Sequence, residues 1–142
     1  MDELADQIAQ FAANMVALSE VRHRGELDYS EASLTVVEYM ISEAAAFADE
    51  MTPAQLANLA HNFGCYLLEV GRREFGGRYC WFDQRDQPVL VVGEPVFRVA
   101  LLGWDRCRVR LAGDEGDNIP FFYAGFAERV RRAEPGTDAL YV

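Results

Sequence analysis

His61, Cys65 and Glu69 recur at intervals of four, so on a helix they share one face. A cysteine beside a histidine is the composition of a nucleophile and its base, with Cys65 attacking and His61 taking the proton. Geometry opposes that role. The three would lie in a row along the helix axis, with no oxyanion donors evident nearby. The alternative is that Cys65 packs as a small apolar residue while His61 and Glu69 flank the core. The expectation is therefore no catalytic residues and no enzyme.

Metal chemistry finds little support. The only histidines are His23 and His61, and there is neither Cys-x-x-Cys nor His-x-x-x-His, so a transition-metal site is not expected. Asp114, Glu115 and Asp117 could suggest calcium, but the spacing of a calcium loop and its closing Glu are missing. A turn followed by a helix start accounts for them more simply, because acids near a helix N-terminus complement its dipole. Gly71 and Gly76-Gly77 lack the strand–turn–helix setting and the Lys of a phosphate loop. No cofactor is expected.

Arginine offers the remaining chemistry. Every basic residue is Arg. Arg72, Arg73 and Arg78, Arg106, Arg108 and Arg110, and Arg129, Arg131 and Arg132 could converge into an anion-binding patch with Tyr79 and Trp81 alongside. The competing expectation, which the carboxylate surplus favours, is pairing within the chain.

The elements that must position these groups can be read from periodicity. The chain has 142 residues, 51% hydrophobic and 25% charged, within the range of one globular domain over 1–142. Leu4, Ile8, Phe11, Met15, Leu18 and Arg22 step by four and three, which predicts a helix over 2–22. Gly25 stops it, and Ser30 is the expected cap of a second helix over 31–49 carrying Leu34, Val37, Ile41 and Phe47. Thr52, Pro53 and Gln55 make a capping box with Pro at the first position. The third helix carries Leu56, Leu59, Phe63, Leu67 and Val70, and Gly76-Gly77 ends it. Gly64 inside it costs about 1 kcal/mol relative to Ala, which points to close approach of another backbone.

Strands are expected at 78–82, 88–92 and 96–102. Residues 106–111 alternate polar and apolar as a strand would, while Arg and Leu also suit a helix, so 104–112 is open between the two. Pro120 opens a last helix with Phe121, Phe122, Phe126 and Val130, and 135–142 reads as a frayed tail. The expected fold is α+β: three N-terminal helices (1–76) packed on a small antiparallel sheet of three or four strands (77–112). An acidic loop and a C-terminal helix (113–134) close it. Trp81, Phe82, Trp104, Phe121, Phe122 and Tyr123 are many aromatics for this part, shared between core and interface anchors.

Charge divides the chain. Residues 1–71 hold 12 acidic and 2 basic side chains, a net of −10, and residues 72–142 hold 11 of each. A solvated face and a negative surface that steers a positive partner are the two readings. Nucleic acid and anionic membrane are repelled by such a surface and are not expected as partners. No apolar run is long enough to span a bilayer, and the acidic start Met1-Asp2-Glu3 lacks the pattern of a secretory signal. Three well-separated cysteines, Cys65, Cys80 and Cys107, suit a reducing compartment. A cytoplasmic location is expected.

Two segments carry a resemblance. The run Asn62-Phe63-Gly64-Cys65-Tyr66-Leu67-Leu68-Glu69-Val70-Gly71-Arg72-Arg73 leads into Gly76-Gly77-Arg78-Tyr79. The second runs from Arg108-Val109-Arg110-Leu111-Ala112-Gly113 through Asp117 to Phe122-Tyr123. Together they resemble a family of small bacterial domains of unknown function, in which a Gly-x-Tyr-Leu-x-Glu-Val helix precedes a Gly-Gly turn and a short sheet. Such domains are similar to the immunity proteins that protect bacteria from secreted antibacterial toxins. The resemblance implies a cognate protein toxin, such as a basic nuclease, as partner, and the charge argument fits it. Glu31, Glu38, Asp49, Glu50, Asp114, Glu115 and Asp117 are the expected contacts. An acidic secretion chaperone for an effector, and an anion-binding or small-ligand domain using the Arg-rich half, are the alternatives.

Overall fold

The carboxylate of Asp2 accepts the Ala5 N–H at 3.2 Å and starts α1 (Glu3–Ser19). The computed structural model describes residues 2–114 and 116–142. Ile8, Ala12 and Met15 are the buried stripe of α1. The helix stops three residues before the expected end. The Ser19 hydroxyl turns back onto the Val16 carbonyl at 2.7 Å, and the Arg22 and His23 N–H groups both reach the Ser19 carbonyl. This closes the last turn and sends Val21 and Arg22 into solvent.

Ser30 caps as expected, its side chain accepting the Ser33 N–H at 3.1 Å. The capped residues Glu31–Ser33 form a 3-10 turn, and α2 (Leu34–Ala45) follows. A second 3-10 turn, Ala48–Glu50, leads to the Thr52–Gln55 capping box, whose reciprocal bonds measure 3.1 and 2.9 Å. With Pro53 at its first position, this box opens α3 (Pro53–Phe75).

Every residue of α3 from Asn62 to Gly71 is buried. A helix buried on all sides needs neighbours on all sides. Here α1 packs along it, α4 (Trp104–Leu111) crosses it, and β2 (Gln87–Val92) and β3 (Arg98–Leu102) lie against it. The crossing with α4 explains Gly64. A Cβ there would stand 2.5 Å from Trp104 Cδ1 and 2.9 Å from the Trp104 backbone N. One on Gly103 would stand 2.6 Å from the Gly64 carbonyl oxygen. The two backbones touch, and neither position has room for a methyl group.

Buried polar groups on α3 are tied to the surrounding layers. The Tyr66 hydroxyl accepts the Tyr29 N–H at 2.8 Å and lies 2.7 Å from Ser33 Oγ, which joins the first connection and the 3-10 turn before α2 to α3. Glu69, 1% exposed, accepts from the Tyr79 hydroxyl at 2.6 Å and from Arg72 at 2.7 and 3.1 Å. Burial pushes the Glu69 carboxyl up. The Arg72 and Tyr79 hydrogen bonds and the charges of Arg72 and Arg73 outweigh it and hold the group below the usual carboxylate range.

Gly76 and Gly77 take positive φ of 74° and 101°, a turn that favours glycine, and deliver β1 (Arg78–Phe82). β1 pairs antiparallel with β2, placing Arg78 opposite Val91, and β2 pairs antiparallel with β3. Residues 104–111 are helical. Cys107 and Leu111, four apart, both enter the core, which suits a helix lying on α3 and not a strand exposing one face.

The end of the chain corrects an expectation. Residues 138–141 are not a tail but a strand, β4 (Asp138–Tyr141), parallel to β3. The sheet, in order β1-β2-β3-β4, is therefore mixed. A parallel pair needs a crossover, and α5 (Ile119–Arg132) lies within it. Arg98 clamps Asp138 with bonds of 3.2 and 3.0 Å, and the Arg98 N–H reaches the Thr137 carbonyl at 2.7 Å. The α+β class holds, with strand and helix interleaved where separate blocks at 77–112 and 113–134 were expected. Tyr79, Leu90, Val92, Val99 and Leu101 join the main core with the helices, and Val89, Val91, Ala100 and Leu102 form a second cluster on the opposite face.

Gly64→Ala should destabilise the fold by roughly 1–3 kcal/mol despite its better helix propensity, because the added methyl has nowhere to go. Urea unfolding reads this as a lower midpoint at unchanged slope. A stabilised variant would contradict the close crossing. Glu69 gives a pH signature. Its folded pKa is below the ordinary 4.5, so its stabilisation is fully present above that value and is lost as pH falls through the folded value. Stability measured between about pH 5 and pH 2 should fall less steeply in Glu69→Gln than in the parent, from a lower starting level.

Candidate partner interface

α1 packs on α3, whereas α2 packs on α4 and α5. The C-terminal ends of α1 and α2 are thus held by different neighbours, and a groove of about 370 Å³ opens between them. Its floor is Leu59 and Phe63 of α3. Met15 and Leu18 of α1 form one wall, Met40, Ala44 and Phe47 the other, and Val21 and His23 close one end. Leu18 is 55% exposed, Val21 87% and Phe47 58%, and Tyr39, 56% exposed, stands edge-on to His23 with ring centroids 5.7 Å apart. Three of these exposed apolar side chains, Leu18, Val21 and Phe47, line the same groove, and clustering of this kind is a feature of contact surfaces.

The surroundings are acidic. Glu43 lines the groove and pairs with Arg22 at 3.1 Å. Glu20 precedes Val21, Asp49 and Glu50 follow Phe47 in an exposed turn, and Glu26 holds His23 Nδ1 at 2.8 Å. These five carboxylates and two guanidiniums, Arg22 and Arg24, belong to the lining residues or lie close to them in sequence. His23 Nε2 is buried in the groove wall without a hydrogen-bond partner, 3.8 Å from Glu43.

The expected contact residues divide. Asp49 and Glu50 lie exposed beside the groove. Glu38 is a correction in setting. It is only 16% exposed and accepts from Arg110 Nη2 at 2.6 Å and from the Ile119 N–H at 2.9 Å, so it joins α2, α4 and the start of α5. Glu31 is half-covered and lies 3.4 Å from Arg131. Asp114 and Asp117 are exposed in the connection between α4 and α5, where Asp114 accepts the Gly116 N–H at 3.2 Å. Glu115 lies outside the described residues. The groove residues Leu18, Phe47 and Glu43 escaped the sequence reading. Leu18 and Phe47 do sit in the predicted apolar stripes, but a stripe does not say whether the chain itself or a partner covers it.

The candidate arginines divide among separate pockets: Arg106 and Arg108 line one together with Arg85, Arg129 and Arg132 another, and Arg78 a third. Arg72 and Arg73 serve Glu69, Arg78 pairs with Glu94 at 2.7 Å, and Arg108 and Arg85 share Asp105. Arg110 goes to Glu38 and the Asp114 carbonyl, Arg131 to Glu74 at 2.6 Å, and Arg132 to Glu128. His61 and Cys65 both meet Trp104, whose indole N–H lies 3.4 Å from Cys65 Sγ, whereas Glu69 is held by Arg72, Arg73 and Tyr79. His61 stacks on Trp104 at 3.8 Å, and burial lowers its pKa. Cys65 is fully buried, and burial pushes its thiol up to about 12, so it stays protonated near neutral pH. Among the described residues, no group of three or more His, Cys, Asp or Glu could hold a metal ion, and no helix is long and apolar enough to cross a membrane.

No family model, curated protein or solved structure matches the chain.

Side chains that serve a partner contribute little to the fold. Leu18→Asp and Phe47→Asp should each change the unfolding free energy by no more than about 1 kcal/mol. Met15→Ala, at the fully buried base of the same wall, should cost roughly 2–5 kcal/mol. Thermal or urea unfolding of the three variants checks this ordering.

Proposed function

We propose that this protein works by binding a basic protein partner, and that it is an immunity protein neutralising a cognate toxin. The observation that carries the proposal is the coincidence of exposed apolar side chains with the acidic end of the helical layer. Apolar contact supplies affinity that charge alone does not, and the negative field raises the association rate with a positive partner. A basic nuclease is a suitable target, since a cleft that holds phosphate is positive and an acidic surface can occupy it or its rim. The pairing of Arg72, Arg78, Arg108, Arg110, Arg131 and Arg132 with carboxylates favours this reading over anion capture by the C-terminal half.

Deleting the chain from its producing cell should make that cell sensitive to contact with its parent, and re-expression should restore growth. Unchanged growth beside the parent removes the inhibitor reading. Against the purified partner, the triple variant Glu43→Lys, Asp49→Lys, Glu50→Lys should associate at least about tenfold more slowly at low ionic strength. The difference should shrink at about 0.5 M salt, where screening acts within a few ångströms. Equal rates at low salt would remove electrostatic steering.

A further inference from the structure

We infer that the groove between α1 and α2 seats an amphipathic, basic helix of the partner, its apolar face on Leu59 and Phe63 and its Lys or Arg side chains over the carboxylate rim. The inference rests on the protein-binding reading above and names the occupant. Three features of the groove select it.

The first is hydrogen bonding. The lining is dominated by Met15, Leu18, Val21, Met40, Phe47 and Phe63, and its polar groups are largely engaged. Ser19 bonds the Val16 carbonyl and Glu43 bonds Arg22. An extended segment entering this groove would bury N–H and C=O groups with few partners. A helix satisfies its own backbone and brings only side chains.

The second is shape. The walls are mostly helical stripes: Met40 and Ala44 step by four, Leu59 and Phe63 by four, Met15 and Leu18 by three, and Phe47 adds to them from the turn after α2. Such stripes present ridges and grooves that match another helix. α1, α2 and α3 all contribute to the lining, so the apolar face of one further helix would meet helical side chains from three directions.

The third is charge. Glu43 lines the groove beside Arg22, Glu26 bonds the lining residue His23, and Glu20, Asp49 and Glu50 lie within three residues of the lining residues Val21 and Phe47, against Arg24, which favours Lys or Arg on the edges of the incoming helix. A second copy of this chain carries the same net charge of −10 and is opposed by like-sign repulsion.

The test uses three synthetic peptides of about 18 residues, long enough for about five helical turns. One places Leu at helical spacing among Lys, the second keeps the Leu positions with Glu for Lys, and the third has the Lys–Leu composition rearranged to alternate. Fluorescence anisotropy reads affinity for the full chain, and circular dichroism reads helix gained on mixing. The Lys–Leu helical peptide should bind and gain helicity. The alternating peptide should bind at least about tenfold more weakly and the Glu peptide not at all. Phe47→Asp and Leu18→Asp should each weaken binding of the helical peptide at least about tenfold, although both make the groove more acidic.

No binding of the helical Lys–Leu peptide overturns the inference, as does equal binding of the alternating one. Unchanged or tighter binding by both Asp variants shows charge alone at work and overturns it too. The purified partner separates the two claims. Affinity lost on charge reversal but untouched by Phe47→Asp removes the groove and leaves the binding reading standing, whereas affinity untouched by either removes both.

Discussion

The contact between Gly64 and Gly103 fixes most of what surrounds it. A helix backbone meets another at a point where neither residue has a side chain, and Trp104 closes over the crossing. This sets where α4 begins, and α4 in turn carries Arg110 to Glu38. Glu38 also takes the Ile119 N–H, so one carboxylate fixes α2, α4 and the start of α5 together. A half-buried ion pair of this kind is stable only while its remaining hydrogen bonds are made, and here they are. Displacing α4 would leave Glu38 short of donors.

The same arrangement separates α1 from α2. α1 follows α3 through Ile8, Ala12 and Met15, while α2 follows α4 and α5. Between their ends Leu18, Val21 and Phe47 are left exposed, uncovered by the described residues. Loose packing does not account for this, because Met15 and Phe63 at the base of the groove are buried. The opening lies above a filled core, at a place where the two groups of helices diverge.

Charge reaches the same place by subtraction. In the C-terminal half arginines and carboxylates are equal in number, and Glu94, Asp105, Glu128 and Asp138 each pair with an arginine. Arg72, Arg110 and Arg131 reach back to acids of the helical part and α3. The net surplus belongs to residues 1–71, where Glu20, Asp49 and Glu50 are exposed and take no part in an ion pair among the described residues. Surface pairs of this kind add little stability, and their effect is on where the field remains.

Much of this was legible from residues in order. Ser30, Thr52 with Gln55, and Gly76-Gly77 mark helix ends through local hydrogen bonds and backbone sterics, which neighbouring residues alone decide. Gly64 announced a close approach because a glycine inside a helix is costly without one. The charge division between the halves is composition. Tertiary structure decided the rest. Residues 104–111 became a helix because α3 offered a surface for Cys107 and Leu111, and residues 138–141 became a strand because β3 had an unpaired edge and Arg98 a carboxylate to hold. Leu18 and Phe47 carry the apolar periodicity of core residues, and only the divergence of α1 from α2 left them exposed. Glu38 carries the same charge as Asp49, and only the position of Arg110 placed it inside the fold. Local geometry is encoded within a few residues, whereas exposure and pairing depend on segments distant in sequence that meet only when the chain folds.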